Sequence, residues 1–396
     1  RPRYTNAATG PRSARPRRWL RHATERGRAS SGLDATQTTK VLRGALRAVR
    51  RGGHVLEAHE EGTVAGDGHG RFLRPARRLA HLLLPKLSAR WRSHSRLHRR
   101  LQQRRLCLLR RNDDPHLRAN VTAKHDTADL IAACISRQIE DGELVAQGIA
   151  TPLVAAGYLL AKLTHAPDLT FISAIGQAIC HDWAPLGVAT IENLWLAKGL
   201  ISFDFVSGAC DILPKFGPKE FFRPGQVDPQ GNFNNVYMGG SYEQPRLRLP
   251  GAGGIPDVTV FEEKVYLYVP RHGRHTFVPT LDFRSGLGHH PARTAGHGPR
   301  YLISDLGQFD FENGRMRLLS HHPGVTVKRI QAKTGFPLKI APNLHETPPP
   351  TAEELALLHN VIDPLGVRYL ETLGGAARRR KLRQILTAEK TKAIEQ

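Results

Sequence analysis

Three stretches carry residue types whose spacing could do chemistry. Pro250, Gly251, Ala252, Gly253 and Gly254, with Asp257 close behind, place three glycines in four positions. Such a backbone can take positive φ and come close to a ligand, although plain tight turns between strands use the same residues. Upstream, Asp228-Pro229 fixes a turn entry and Gly231 its exit, which leaves Asn232 and Asn234 to hydrogen-bond nearby backbone or a ligand. Arg271, His272, Arg274 and His275 fall in one turn, where they could grip the phosphates of a nucleotide-bearing ligand or simply face solvent. The doublets His289-His290 and His321-His322 are poor chelates, because adjacent side chains on a strand point to opposite faces, so no metal is expected. Cys107, Cys134, Cys180 and Cys210 form no CxxC pair, which argues for a reducing, cytoplasmic setting and against a structural zinc site.

The elements that must position these residues lie in the last two thirds of the chain. Residues 1–120 hold 29 of the 58 basic residues and 8 of the 35 acidic ones, so nearly all of the net charge of +23 sits there. The pI near 10.5 therefore misdescribes the rest, which is close to neutral. Tyr4, Trp19, Phe72 and Trp91 are too few aromatics for a core or a base-stacking platform, and runs such as Arg15-Pro16-Arg17-Arg18 lack apolar spacing. An organelle transit peptide would share its Arg-rich, acid-poor character but is several times shorter; the readings that fit the segment are an upstream reading frame never selected to fold, a disordered basic extension, or a genuine module such as a nucleic-acid-binding arm. Arg1 opens the chain and Met238 is its first methionine, so the sequence reads as a fragment or as one extended upstream of its start. No apolar run reaches the ~18 residues a membrane helix needs.

From about Lys124 the pattern becomes that of a folded domain. Asp126-Thr127 predicts a helix cap, and Leu130, Ile131, Cys134, Ile135 and Ile139 a buried stripe ending at Gly142. Residues 143–148 read as a strand, Thr151-Pro152 as the start of a helix reaching Leu163, and residues 169–172 as a second strand. That is a βαβ unit, whose crossover favours parallel pairing and puts Ser173, Ala174, Ile175 and Gly176 at a strand's carboxyl end, where open α/β sheets hold ligands. A short helix is expected at 192–198, strands at 200–206 and 265–269, and a hairpin around Asn313-Gly314. Thr351 and Glu354 read as a capping box, and the tail from Ala376 as basic and frayed. The expectation is an α/β fold, an open, mostly parallel Rossmann-like sheet with flanking helices over 121–375. The basic extension 1–120 precedes it and a basic tail 376–396 follows.

Seven motifs in order carry a resemblance over residues 125 to about 371. They are the strand-helix-strand opening, Gln226-Val227-Asp228-Pro229-Gln230-Gly231-Asn232, Gly251-Ala252-Gly253-Gly254, Ser285-Gly286-Leu287-Gly288, Ser304-Asp305-Leu306-Gly307, His322-Pro323-Gly324-Val325 and Thr334-Gly335-Phe336. Together they resemble the beta subunit of family I CoA-transferases of the glutaconate CoA-transferase type. The resemblance implies an alpha-type partner subunit in an α2β2 or larger assembly, an acyl-CoA thioester as substrate and no permanently bound cofactor. It also implies a glutamate nucleophile that forms an anhydride and then an enzyme thioester, with the glycine-loop amides holding the oxyanion. That glutamate's motif lands on Ala174, Ile175 and Gly176, so no catalytic residue is expected in this chain. Substrate contact is expected from Gly251, Ala252, Gly253, Gly254, Asn232 and Asn234. Loss of the carboxylate resembles a hydrolytic branch of the family, the ring-opening hydrolases of bacterial steroid breakdown, in which the alpha subunit supplies it. A Rossmann oxidoreductase is excluded by the lack of Gly-x-Gly-x-x-Gly after the first strand, and a basic nucleic-acid-binding protein remains the reading from another class.

Overall fold

Asp126 opens the first helix as its composition predicts. Its carboxylate accepts the amides of Ala128 and Asp129 at 2.8 and 3.0 Å, while Asp129 accepts the amide of Asp126 at 3.2 Å. The computed structural model describes residues 125–148, 151–189 and 198–394, so the basic first third and nearly all of the helix expected at 192–198 lie outside it. Helix α1 (Thr127–Ser136) buries Leu130, Ile131, Cys134 and Ile135, and it stops three residues short of Ile139. Strand β1 (Leu144–Ala146), helix α2 (Pro152–Leu163) and strand β2 (Thr170–Ser173) then form the expected unit, with Leu144, Val145 and Ala146 parallel to Thr170, Phe171 and Ile172. Thr151 precedes Pro152 without a side-chain cap bond, so the helix start rests on proline's fixed φ.

Two local departures follow. β3 (Ala178–Cys180), at three residues too short to show alternation, returns antiparallel on β2 through Gln177 at φ 52°. β4 (Gly199–Ser202) ends earlier than the apolar run suggests, because Asp204 accepts the Ser207 amide and hydroxyl and starts a π-helical turn, Ser207–Ile212. The turn continues as α3 (Leu213–Phe216) and ends at Gly217 in the left-handed region. β5 (Lys219–Phe222), β6 (Gln226–Val227), β7 (Phe233–Asn234), β8 (Tyr237–Gly240) and β9 (Pro245–Arg248) lead to α4 (Ile255–Phe261) and β10 (Val265–Val269). β11 (Tyr301–Ser304), β12 (Gly307–Glu312), β13 (Arg315–His321), α5 (Val327–Lys333) and β14 (Lys339–Glu346) follow. The β12–β13 turn has Asn313 and Gly314 at φ 50° and 71°, the twist a two-residue hairpin requires.

The ten-stranded sheet runs β14-β13-β12-β11-β10-β5-β1-β2-β3-β4. Its centre, β11-β10-β5-β1-β2, is parallel throughout, and antiparallel strands flank it on both sides. β10 is buried at every position, as a strand covered on both faces must be. Tyr266 and Tyr268 join Phe221, Tyr301 and the apolar faces of α1 and α2, while Val265, Leu267 and Val269 join Phe222, Val227, Phe233, Phe277 and Ile330. A smaller cluster, Leu144, Ala146, Ile172, Ile179, Ile212 and Leu213, fills the space under α3.

The C-terminal segment closes the helical face. α6 (Ala352–Leu357) begins with the capping box at Thr351 and passes into a π-helical turn, Leu358–Ile362. Beyond it Arg368, only 1 % exposed, donates to Asp129 at 2.7 Å and to Asp363 at 2.8 Å. After α7 (Tyr369–Thr372) comes α8 (Gly375–Ile394), which corrects the expectation of a frayed tail. Ile385 is buried, and Glu389 accepts the amides of Val188 and Ala189 at 2.7 and 3.0 Å. The tail docks by a few side chains on a mainly basic helix, a pattern that composition does not disclose.

Candidate active site

The carboxyl ends of β1, β2 and β5 meet on one edge of the sheet. After β2, Ser173 Oγ donates to the Gln147 carbonyl and accepts the Gly176 amide, both at 2.9 Å, which fixes the turn holding Ala174, Ile175 and Gly176 beside the end of β1. Ala174 packs on the small cluster under α3, and a Cβ at Gly208 would stand 3.3 Å from its Cα. Ile175 is 49 % exposed, and Phe205 and Val206 at the start of the π-helical turn are also exposed. Ala174 itself brings only a methyl group to this edge.

The glycine loop is exposed and strained in the way only glycine accepts easily. Gly251 and Gly253 have φ of 107° and 53°, and no atom lies within 4 Å of a Cβ placed on either. The Gly251 amide donates to the Asn235 carbonyl at 2.9 Å and the Ile255 amide to the Ala252 carbonyl at 3.0 Å. Among the described residues the amides of Ala252, Gly253 and Gly254 make no hydrogen bond. Asn235, which no sequence pattern singles out, ties this loop to the sheet. Its Oδ1 accepts the Gly225 amide just beyond β5 at 2.7 Å, and its own amide donates to Ser285 Oγ at 2.9 Å.

Asn232 and Asn234 occupy a different position from the loop. Both are buried, and their amide groups are engaged inside the protein. Asn232 donates to Asp228 at 2.9 Å and accepts the Gly288 amide at 2.8 Å; Asn234 donates to Gln226 Oε1 at 2.7 Å and to the Tyr237 carbonyl at 2.6 Å. A Cβ at Gly288 would fall 2.2 Å from the Asn232 nitrogen, which explains why the two glycine-containing motifs occur together. Arg271, Arg274 and His275 are exposed. His272 is buried and stacked on Phe277 at 3.6 Å, with its ring nitrogens 3.0 and 2.9 Å from Ser304 and Thr334. Burial, helped by Lys333, pushes His272 down to about 3, so it is a neutral core residue. His322 sits similarly between Thr347 and the Ser304 carbonyl, lowered by burial to about 4.

Two carboxyls near this edge carry no signal in the sequence. Glu220 on β5 is in register with Ala146 on β1 and Val265 on β10, and its Oε1 is 3.7 Å from a Cβ placed on Gly148. Burial lifts it to about 7. Glu262, just past α4, is 0 % exposed, and among the described residues neither of its carboxyl oxygens has a hydrogen-bond partner. Burial first, and then the charge of Glu220, raise it to about 9 against the opposing pull of Lys264 and Arg293. A glutamate inside a β-strand or after a helix gives no sign of this in one-dimensional pattern, because burial of a polar residue is a tertiary fact.

An α/β sheet with an exposed glycine loop near the carboxyl ends of its parallel strands is a ligand-handling fold of the doubly wound kind. The chain belongs to the coenzyme A transferase family, whose model matches residues 128–333. It is 30% identical over 259 residues to the B-subunit of 3-oxoadipate CoA-transferase from Pseudomonas knackmussii, covering 59% of this chain and 92% of that one. It is 32% identical over 241 residues to the cholesterol ring-cleaving hydrolase IpdB subunit of Rhodococcus jostii, covering 58% and 89%. Among solved structures, the decarboxylase AibA/AibB aligns with a TM-score of 0.55 at 29% identity, over 63% of this chain and 99% of that one. The family read from the seven motifs is the family found. No helix among the described residues is long and apolar enough to cross a membrane.

Proposed function

We propose that the chain is the beta-type subunit of a cytoplasmic two-subunit enzyme that acts on acyl-CoA thioesters, transferring CoA between carboxylic acids, and that an alpha-type subunit completes it, in an α2β2 assembly. The thioester is a substrate, and no cofactor stays bound. The observation that carries this reading is the glycine loop, with three adjacent amides unengaged and its backbone open to solvent. Amides in that state cost nothing to reorganise when charge develops on a carbonyl oxygen, which is what an oxyanion site requires. Gly251, Ala252, Gly253 and Gly254 contact the thioester in this proposal. Asn232 and Asn234 act behind them by shaping the adjoining loop.

A second reading is favoured by one residue. Ala174 cannot attack a carbonyl, and two relatives act as a ring-cleaving hydrolase and a decarboxylase. In that reading water, not a second acid, accepts the acyl group, and the alpha subunit supplies a carboxylate. The test is to purify the chain with an alpha-type subunit and offer acyl-CoA thioesters with and without a carboxylic acid acceptor. Turnover that depends on the acceptor and yields a new CoA thioester is the result expected for transfer. Acceptor-independent release of products carrying solvent oxygen would replace it with hydrolysis.

A further inference from the structure

The two orphan carboxyls lie in the same part of the fold as Ala174. In a parallel sheet, residues paired in register point to the same face. Glu220 pairs with Ala146, and Ala146 pairs with Ile172, so the three share a face. Ala174 follows Ile172 by two residues and packs on the cluster that contains both Ala146 and Ile172. Glu220 directs its carboxylate toward Gly148, the residue after Gln147, whose carbonyl holds the Ser173 hydroxyl of the Ala174 turn. The strands β5, β1 and β2 are neighbours, so this carboxylate stands two strands, about 10 Å of backbone separation, from the Ala174 position. Glu220 is partly exposed there, and its carboxylate makes no hydrogen bond or ion pair among the described residues.

Glu262 reaches the same region from below. It follows the helix that the glycine loop begins, and its Oε1 is 4.0 Å from a Cβ placed on Gly217, which separates α3 from β5. A wholly buried glutamate with both oxygens unpartnered is costly, and proteins tolerate one where it is neutral or where something comes to meet it.

We propose that Glu220 is the reacting carboxyl of this chain, a general base and acid working from β5 where Ala174 offers no group on β2. This rests on the acyl-CoA reading above and takes its hydrolytic form, with Glu220 in the place given there to a carboxylate from the alpha subunit. In the step it performs, the Glu220 carboxylate removes a proton from water as the water oxygen bonds to the acyl carbon. The bond from that carbon to its leaving group breaks with the electron pair going to the leaving group, which then receives the proton from Glu220. A carboxyl held near neutrality by burial suits both halves of the step, since it must give up a proton as readily as it takes one. The other titratable groups felt here are Tyr158 from α2, Lys264 and Glu263 beside Glu262, and Arg293. Of these the two cations oppose the rise of Glu262 without bonding its carboxylate.

The experiment uses the chain copurified with an alpha-type subunit and acetoacetyl-CoA as probe, a thioester with both a C–S and an activated C–C bond open to water. Rate against pH is measured for wild type, Glu220→Gln and Glu262→Gln. Glu220→Gln is expected to lose kcat by about 100-fold or more with little change in KM, the usual cost of removing a general base. Glu262→Gln is expected to keep the acidic limb where wild type has it, because a carboxyl that stays protonated below about 9 places no charge beside Glu220 as it ionises; a limb that moves with Glu262→Gln and not with Glu220→Gln assigns the profile to Glu262 and overturns the proposal. An infrared band from a protonated carboxyl that titrates near neutral pH is expected in wild type and in Glu262→Gln and is lost in Glu220→Gln, whether or not the probe is turned over, and its absence from wild type overturns the acid–base role of Glu220. Wild-type turnover that Glu220→Gln matches in rate and pH profile overturns Glu220 alone. A wild-type complex inert to the probe and to every other acyl-CoA thioester counts against the acyl-CoA reading itself.

Discussion

Glu262 holds a carboxyl group where water cannot reach, and among the described residues no donor meets it. Its folded value near 9 lies above the ordinary 4.5, so the stability linked to its proton is complete below 4.5 and is lost as pH rises through about 9. Glu262→Leu should therefore melt higher than wild type, and the gap should widen across that window by up to about 1.4 kcal/mol per pH unit. Melting temperatures taken through the window check this, and a gap that stays constant would contradict it. His272 has the opposite sign. Its depressed value near 3 means that the stability it contributes is present above the ordinary 6.5 and fades as pH falls toward 3. Its ring resonances should not titrate around neutrality by NMR, and a midpoint near 6.5 would contradict its burial.

At the scale of elements, the join between α1 and the C-terminal segment rests on Arg368. Its guanidinium is buried against Asp129 and Asp363, with Tyr369 stacked beside it at 4.3 Å. Arg368→Ala leaves the buried Asp363 without its cation and Asp129 with only the His359 ring at 3.0 Å as side-chain ion-pair partner, and should cost about 3–5 kcal/mol in urea unfolding. Arg317→Ala on β13, whose partners Asp310 and Glu312 are solvated, should cost about 1 kcal/mol or less. Equal losses at the two sites would refute the distinction. The glycine loop gives the converse case. Gly253→Val meets no atom within 4 Å but must hold φ near 53°, so it should lower turnover by the assembled enzyme more than it lowers the melting point.

The elements most legible in sequence were those with local signatures: Asp126 as a cap, Pro152 at a helix start, Asn313-Gly314 in a hairpin, Thr351 with Glu354 in a capping box. β3 and the π-helical turn after Asp204 were not legible, because one is too short for periodicity and the other overrides an apolar run with a side-chain cap. α8 was missed for a related reason. Its docking depends on Glu389 meeting two amides some 200 positions away. In the candidate site the glycine loop announced itself by composition, whereas Glu220, Glu262 and Asn235 depend on strand register and loop closure that no spacing rule encodes.

For the whole molecule, the net charge of +23 belongs almost entirely to residues 1–120, so residues 121–396 are close to neutral and offer no general case for a polyanion partner. What it offers is an exposed glycine loop, an exposed apolar group at Ile175, Phe205 and Val206, and an edge of parallel strands with no nucleophile at Ala174. A surface of that kind beside an incomplete site fits a subunit that works in company. The measurement that bears most directly on this is turnover of an acyl-CoA thioester by the chain alone, by an alpha-type subunit alone, and by the two mixed. The account predicts activity in the mixture and none in either component. Activity from the lone chain, or none from the mixture, would contradict it.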